Sequence, residues 1–173
     1  MSKHFDVLRP TALAMALLIL AACGKQKQEA DTPPAPASTG PLPPFPAWAA
    51  PMIGKSLNGL YADSSACKGH FDAITLRHST PPSGVEVGGW AWDTVAMAPV
   101  EHVLFVDKGS IIVGAGTGGV TRPDVPKVLS DVTSEKTGWS GVVNQVDGKV
   151  KAIALISGNK ACDIGDFDLG SVG

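Results

Sequence analysis

The sequence contains few potential metal ligands, and their spacing does not predict a metal centre. It has three cysteines and four histidines in 173 residues, and no CxxC or HxxxH pair occurs among them. Such pairs preorganise the ligands of most zinc sites. We therefore expect no metal and no cofactor. One alternative stays open. A metal could be held by Cys67 and Cys162 together with His70, His78 or His102.

The sequence also lacks an excess of positive charge. It has 14 basic and 16 acidic side chains, a formal net charge of −2 at pH 7. A nucleic-acid partner requires clustered Lys and Arg side chains that neutralise the phosphate backbone. We therefore expect no binding of DNA or RNA.

Sequence motifs of catalysis and of nucleotide binding are missing as well. There is no GxSxG motif and no pair of carboxylates at an interpretable spacing. Residues 114–119 read GAGTGG and formally match GxGxxG, but Pro123 interrupts the helix that should follow and bind a pyrophosphate at its N-terminus. We therefore expect a non-enzymatic protein, in which this glycine run is a flexible hairpin end or a bend in a sheet.

The longest apolar run, residues 11–22, is too short to span a membrane. It reads TALAMALLILAA and follows a leading segment that contains Lys3 and Arg9. A transmembrane helix needs about 20 apolar residues, whereas a run of roughly 7 to 15 after a basic start is typical of a cleaved signal peptide. We predict that residues 1–22 are a signal peptide and exclude them from the fold.

Residues 20–23 read Leu-Ala-Ala-Cys, which resembles the bacterial lipobox. The resemblance implies a bacterial lipoprotein precursor that is cleaved after Ala22 and carries a diacylglyceryl group on the sulfur of Cys23. It also implies acylation of the new N-terminus, for example by palmitate. Two or three acyl chains would hold the protein firmly on a bilayer, at about 0.8 kcal/mol per buried methylene. The alternative is an ordinary signal peptide followed by an incidental cysteine.

The residue after Cys23 bears on the destination of such a lipoprotein. Gly24 stands where an inner-membrane retention signal usually has Asp. The resemblance therefore implies a lipid-anchored protein of the cell envelope, on the outer membrane of a host with two membranes. Its domain would face the periplasm or the cell surface.

Residues 23–50 have the composition of a tether. Seven prolines lie in this segment, which has almost no aliphatic bulk. Proline favours extended, solvated backbone, so we predict a disordered linker that reaches roughly 80 Å at about 3.1 Å per residue. A proline-rich ligand for a partner domain, at residues 41–46, is the alternative.

Residues 51–173 are predicted to form one β-rich extracytoplasmic domain. Apolar and polar residues alternate, and turn residues such as Asp147-Gly148 separate the short runs. This spacing predicts a mainly β fold, a single antiparallel β-sandwich or small barrel. The predicted strands are 71–77, 85–92, 101–106, 111–113, 139–145, 149–157 and 161–164, and the predicted helix is 124–131.

With Cys23 assigned to the lipid, Cys67 and Cys162 remain as a single pair. Disulfides form and persist in exported proteins, and we therefore predict a bridge between these two residues. It would join the start of the domain to its last strand. The loop it closes is nearly the whole domain, for which chain entropy contributes on the order of 4 to 5 kcal/mol.

Three short segments form the most distinctive pattern of the domain: GWAWD at 89–93, RPDV at 122–125 and GWSG at 138–141. In this order and spacing they resemble a β-sandwich module, GWAxD followed by RPDV, that recurs in bacterial envelope proteins. The resemblance covers about residues 85–164. It supports the β-sandwich and implies no particular activity.

Two interpretations of this pattern remain open. In the first, tryptophan rings fill the space between sheets and Arg122 forms an ion pair with Asp93 or Asp124. In the second, the aromatic rings stack on a sugar of a carbohydrate or of peptidoglycan, through Trp90, Trp92 or Trp139. Since residues two apart in a strand share a face, the first two rings should point the same way.

The sequence therefore predicts a lipid-anchored envelope protein that acts as a non-enzymatic binding or assembly module, with a protein or glycan of the envelope as its partner. A carbohydrate-binding or peptidoglycan-binding module is the first alternative. A hydrolase of envelope polymers is the second.

Overall fold

Residues 35–170 fold into mainly β structure in the computed structural model, which describes this part of the chain. The predicted signal peptide and Cys23 lie outside the described residues. The elements in chain order are β1 (Ala37–Pro41), a 3-10 turn (Ala50–Met52), β2 (Ala62–Ser64), β3 (Cys67–Thr80), β4 (Gly84–Asp93), β5 (Ala98–Pro99), β6 (His102–Asp107), β7 (Ile112–Val120), α1 (Val125–Val128), β8 (Gly138–Val143), β9 (Lys149–Ile156) and β10 (Lys160–Asp168).

All ten strands belong to one sheet. The strand order is β1-β3-β4-β8-β7-β6-β9-β10-β2, and β5 pairs with β4. The pairs β1–β3 and β10–β2 are parallel, and the others are antiparallel. The sheet is not closed into a barrel. The prediction of a mainly β fold is confirmed.

The two ends of this sheet lie against each other, which gives a sandwich-like arrangement. Cys67 at the start of β3 and Cys162 in β10 form a disulfide, with their Cα atoms 6.2 Å apart. At Gly69 a side chain has no room, because a Cβ atom there would lie 2.7 Å from the side chain of Ile164. The predicted disulfide is therefore present, and it fastens β3 to β10.

The glycine-rich run at residues 114–119 lies within β7, which continues to Val120. The sequence indicated a hairpin end or a bend at this place. Close approach of the backbone of β8 explains the glycines: a Cβ atom at Gly114 would lie 2.3 Å from the carbonyl oxygen of Val142. The missing side chains allow β7 and β8 to pair at this point.

Aromatic rings fill the centre of the inner core between the layers. Phe71, Phe105 and Trp139 form a cluster with ring centroids 5.5 to 6.0 Å apart. Pairs of this geometry contribute about 0.5–1.5 kcal/mol each beyond the area that they bury. Around them pack buried aliphatic side chains of several strands, such as Val85, Val87, Val103, Val143, Ala152 and Ile164.

A second apolar cluster lies on the outer face of the sheet, under residues 48–61, which we call the covering segment. Successive residues of β6 alternate between the two clusters, because Val103 and Phe105 face the inner core whereas Leu104 and Val106 face outward. The covering segment contributes buried Ala49 and half-buried side chains that include Trp48.

The β structure therefore includes residues before 51, inside the segment predicted as a disordered linker. Residues 37–41 pair with β3 as an edge strand, and Leu42 is buried. Proline lacks an amide hydrogen and is tolerated at sheet edges, so the prolines of this segment do not prevent such pairing. The part of the predicted linker before residue 35 lies outside the described residues.

Candidate functional site

The segments 89–93, 122–125 and 138–141 come together in the structure, but they do not form an exposed aromatic surface. Trp92 is 1% exposed and packs against Val125 and Val132. Trp90 is half-buried and joins the same cluster, so the two rings of β4 share the outer face as expected. The chain between α1 and β8 covers these rings.

Trp139 points the other way, into the inner core, and is also 1% exposed. Its ring lies across Gly89, where a Cβ atom would come within 2.2 Å of the indole. Trp92 and Trp139 therefore have no free face on which a sugar could stack. Within this group of rings, Trp90 has solvent-accessible surface.

Asp93 is not the partner of Arg122. Its carboxylate is buried and accepts hydrogen bonds of 2.9 Å from the backbone amides of Val95, Ala96 and Ser157. Burial raises the pKa of this carboxyl, but the three hydrogen bonds outweigh it and hold the pKa below its ordinary value. Asp93 thus stabilises the turn after β4 and links it to the end of β9.

Arg122 pairs with Asp124 and also with Asp72, a residue of β3 that the sequence did not indicate. Its Nε and Nη2 atoms donate to the two carboxylate oxygens of Asp124 at 2.9 and 2.7 Å, and its Nη1 atom donates to Asp72. The hydrogen bond from Arg122 lowers the pKa of Asp124 to about 2. The guanidinium therefore ties the start of the 122–132 segment to the sheet.

A second ion pair holds the other end of that segment. Lys68 in β3 donates to Asp131 at 2.5 Å, and this hydrogen bond lowers the pKa of the Asp131 carboxyl. With Arg122 and Lys68 at its two ends, the segment is fastened over Trp92. The contacts among these three segments therefore stabilise the fold.

Two clefts lie on the same outer face, at opposite ends of β6. The first, which we call the aromatic cleft, has a volume of about 450 Å³ and is lined by residues 98–102 and 117–119 and by Lys136. Trp48 lies next to it, because its ring centroid is 4.2 Å from that of His102 and its Nε1 donates to the hydroxyl of Thr117 at 3.4 Å. Sequence analysis missed Trp48, since it lies in the predicted linker.

The second cleft, which we call the charged groove, has a volume of about 560 Å³. Aliphatic side chains line part of it, among them Val106 and Ile153 of the outer cluster. Four acidic and three basic side chains line the rest: Asp63, Asp107, Asp163, Asp166, Lys108, Lys149 and Lys151. The groove therefore combines an apolar surface with charges of both signs.

Some of these charges already have partners. Lys151 donates to Asp163 at 2.7 Å, and this hydrogen bond raises the pKa of the lysine. Asp107 accepts the amides of Gly109 and Ile111 in the turn between β6 and β7. Within residues 35–170, by contrast, the side chains of Lys108, Lys149 and Asp63 form no ion pair.

Among residues 35–170 no three His, Cys, Asp or Glu side chains are grouped so that they could hold a metal ion. In the same part of the chain no helix has the length and apolar character needed to cross a membrane. The predicted lipidation site, Cys23, lies outside this part.

Comparison with known proteins adds no relative. No protein-family model, no curated protein and no solved structure matches the chain.

Proposed function

We propose that this chain is a lipid-anchored protein of the bacterial cell envelope whose β domain binds another envelope component without catalysing a reaction. The charged groove is the observation that carries this proposal. The lipobox-like sequence that ends at Cys23 supports the anchor. The disulfide between Cys67 and Cys162 supports an exported domain, because such bonds persist in oxidising compartments.

The charged groove suits a protein partner better than a simple ion. Its aliphatic part can bury apolar side chains, and the unpaired Lys108, Lys149 and Asp63 can meet charges of opposite sign on a polypeptide. Most of the lining residues stand on paired strands or on short turns between them. A binding surface built on such elements needs little ordering when a partner docks.

In this proposal the length of the segment after Cys23 limits how far the groove can lie from the membrane. Thirteen residues, 24–36, separate Cys23 from β1. At about 3.1 Å per residue, an extended proline-rich segment of this length reaches roughly 40 Å. The domain would therefore work close to the membrane, at about half the distance that the sequence alone indicated.

Replacing Cys23 with Ser tests the anchor, since this residue supplies the sulfur of the thioether. We expect the Cys23→Ser protein to lose lipid labelling and to accumulate as the unprocessed precursor. Metabolic labelling with a fatty acid, followed by mass determination of the membrane fraction, measures both. A variant that is still labelled and processed would show that this cysteine is not the lipidation site.

Reversing charges tests the groove. Cross-linking in intact envelopes should capture one defined component with the wild-type protein and lose it with the Lys108→Glu/Lys149→Glu variant. Lys127→Glu is the matched control, because it reverses an exposed lysine on α1, away from the groove. Equal capture by the groove variant and the control would contradict binding at the groove.

A glycan is the second candidate ligand. The half-buried indole of Trp48 at the aromatic cleft favours it.

A further inference from the structure

The aromatic cleft lies beside Trp48, the first residue of the covering segment. His102 and Thr117 are direct cross-strand partners, at the start of β6 and at the end of the part of β7 that pairs with it. Trp48 lies over this pair, with one part of its ring packed toward the outer apolar cluster. The indole is half-buried and lies beside the residues that line the cleft, so part of the ring is accessible to solvent next to the cleft.

Several hydrogen-bonding groups around this cleft have no partner in the described part of the chain. The exposed carboxylate of Glu101 makes no hydrogen bond or ion pair there, and neither ring nitrogen of His102 has a hydrogen-bond partner. Lys136 is held at the opposite side, where its Nζ donates to the hydroxyl of Thr121 at 2.8 Å. The cleft thus offers acceptors and donors together with an indole.

The cleft is built into the sheet and does not depend on a loop closing over it. At Gly118, which lines it, a Cβ atom would lie 2.0 Å from the carbonyl oxygen of Val100. The chain before β6 therefore packs directly on β7. The hydrogen bond from Trp48 to Thr117 and the contact with His102 place the indole on the same paired strands.

We propose that the aromatic cleft binds a pyranose ring of a glycan. The C–H bonds on one face of a pyranose are apolar and pack on an aromatic ring, whereas its hydroxyl groups both donate and accept hydrogen bonds. Trp48 supplies the ring, Glu101 accepts hydroxyl protons, and His102 and Lys136 supply the remaining polar contacts. This inference goes beyond the proposed function, because the aromatic cleft is a site separate from the charged groove.

The test uses the full lipidated protein in detergent micelles and two soluble probes. One probe is a tetrasaccharide of β-1,4-linked N-acetylglucosamine, and the other is the corresponding tetrasaccharide of glucose. Isothermal titration should show saturable binding of at least one. The N-acetylated probe represents glycans of the peptidoglycan type, and the glucose probe represents glycans without acetamido groups.

Matched variants connect the binding to the cleft. Trp48→Ala should weaken it by about tenfold, whereas Trp48→Phe, which keeps an aromatic ring, should stay within about threefold of the wild type. Glu101→Ala should weaken it by about fivefold through the lost hydrogen bond. The control is Glu135→Ala, which removes another exposed carboxylate that makes no hydrogen bond or ion pair within residues 35–170 and should leave the affinity unchanged.

Thermal unfolding of each variant separates binding from stability, because Trp48 also packs on the outer apolar cluster. If Trp48→Ala is unfolded, the affinities of Glu101→Ala and Glu135→Ala for the sugar probe are compared instead, and equal affinities overturn the proposal. Absence of binding by the wild-type protein to both probes overturns the proposal. Equal affinity of wild type, Trp48→Ala and Glu101→Ala overturns it as well.

The outcome is distinguishable from that of the charged groove. The Lys108→Glu/Lys149→Glu variant should bind the sugar probe with unchanged affinity, because both lysines lie at the other end of β6. Loss of sugar binding with continued capture of an envelope component rejects the glycan inference alone. If the wild-type protein captures no envelope component, the proposed function is rejected.

Discussion

The imidazole of His78 in β3 lies 3.0 Å, at its Nδ1 atom, from the carbonyl oxygen of Gly40 in β1. The other ring nitrogen, Nε2, lies 2.8 Å from a carboxylate oxygen of Glu86 in β4. Both neighbours are hydrogen-bond acceptors, so the ring must carry a proton on each nitrogen to satisfy both. The hydrogen bond to Glu86 raises the pKa of His78, the Gly40 carbonyl adds to the rise, and burial opposes it.

This geometry predicts that β1 is held most firmly at acidic pH. The pKa of His78 is raised in the folded protein, so its stabilising contribution is complete below the ordinary value of 6.5 and is lost as the pH rises through the folded-state pKa. Amide exchange in residues 37–41 should therefore speed up, relative to intrinsic exchange, as the pH rises above 6.5 and through the raised pKa of His78.

The control for this prediction is a second histidine on the same strand. His78→Gln should remove the pH dependence, whereas His70→Gln, at an exposed position of β3, should leave it unchanged. The same pH dependence in His78→Gln and wild type would contradict the assignment to His78.

Trp92 is expected to be a core residue for stability. Trp92→Ala should lower the free energy of unfolding by about 3–5 kcal/mol, because the cavity under residues 122–132 cannot close fully. Trp90→Ala should cost less, since that ring is half-buried. Urea unfolding of the oxidised protein measures both. An unchanged midpoint for Trp92→Ala would show that the indole does not carry this packing.

A phenylalanine at the same position gives a sharper comparison. The Nε1 atom of Trp92 is buried and has no hydrogen-bond partner among the described residues. Trp92→Phe removes this unsatisfied donor along with part of the ring, so its cost should be clearly smaller than that of Trp92→Ala. Equal losses in the two variants would contradict this account.

The two ion pairs of Arg122 should contribute unequally to the stability of the fold. Arg122→Ala should lower stability by about 1 kcal/mol, the range of partly exposed pairs, and should leave the carboxylates of Asp72 and Asp124 without their shared cation. Asp72 is the less exposed partner, at 32% against 59% for Asp124. Asp72→Asn should therefore destabilise more than Asp124→Asn in thermal unfolding at low salt, and the reverse order would contradict this.

The disulfide should contribute strongly to stability. Its two cysteines are 95 residues apart in the sequence, so the crosslink restricts most of the unfolded chain. Removing it in a Cys67→Ala/Cys162→Ala variant should cost about 2–4 kcal/mol. Urea unfolding of this variant beside the oxidised wild type measures the loss, and a loss that equals zero would mean that packing alone holds β3 on β10.

The strands were predictable because their side chains alternate between two environments. In β6, Val103 and Phe105 face the inner core while Leu104 faces the outer cluster, and turn residues follow at Asp107. The disulfide was predictable because only two cysteines remain after Cys23 is assigned to the predicted lipid anchor. These features depend on neighbouring residues or on composition, so they can be recognised in a single sequence.

The covering segment and the pairing of Arg122 with Asp72 were not predictable in the same way, whereas the pairing of Arg122 with Asp124 was one of the two predicted alternatives. Prolines around Trp48 conceal its packing, because they suppress the periodic pattern that marks an element. Asp93 is close to the tryptophans in sequence, yet its carboxylate is used by the backbone amides of a turn, and Arg122 instead reaches Asp72, 50 residues away. Such pairings depend on the strand order, which one sequence does not reveal.

An open sheet has two edges, and this one has both of them protected against further pairing. One outermost strand, β2, has three residues. The other, β1, ends at Pro41, which lacks the amide hydrogen that an added strand would need. A protein cut at residue 51 would lose β1, which pairs with β3 at residues 77–80, and would open that part of the edge of β3 to pairing with another chain. The segment whose composition resembles a spacer thus provides one of the two edge strands of the sheet.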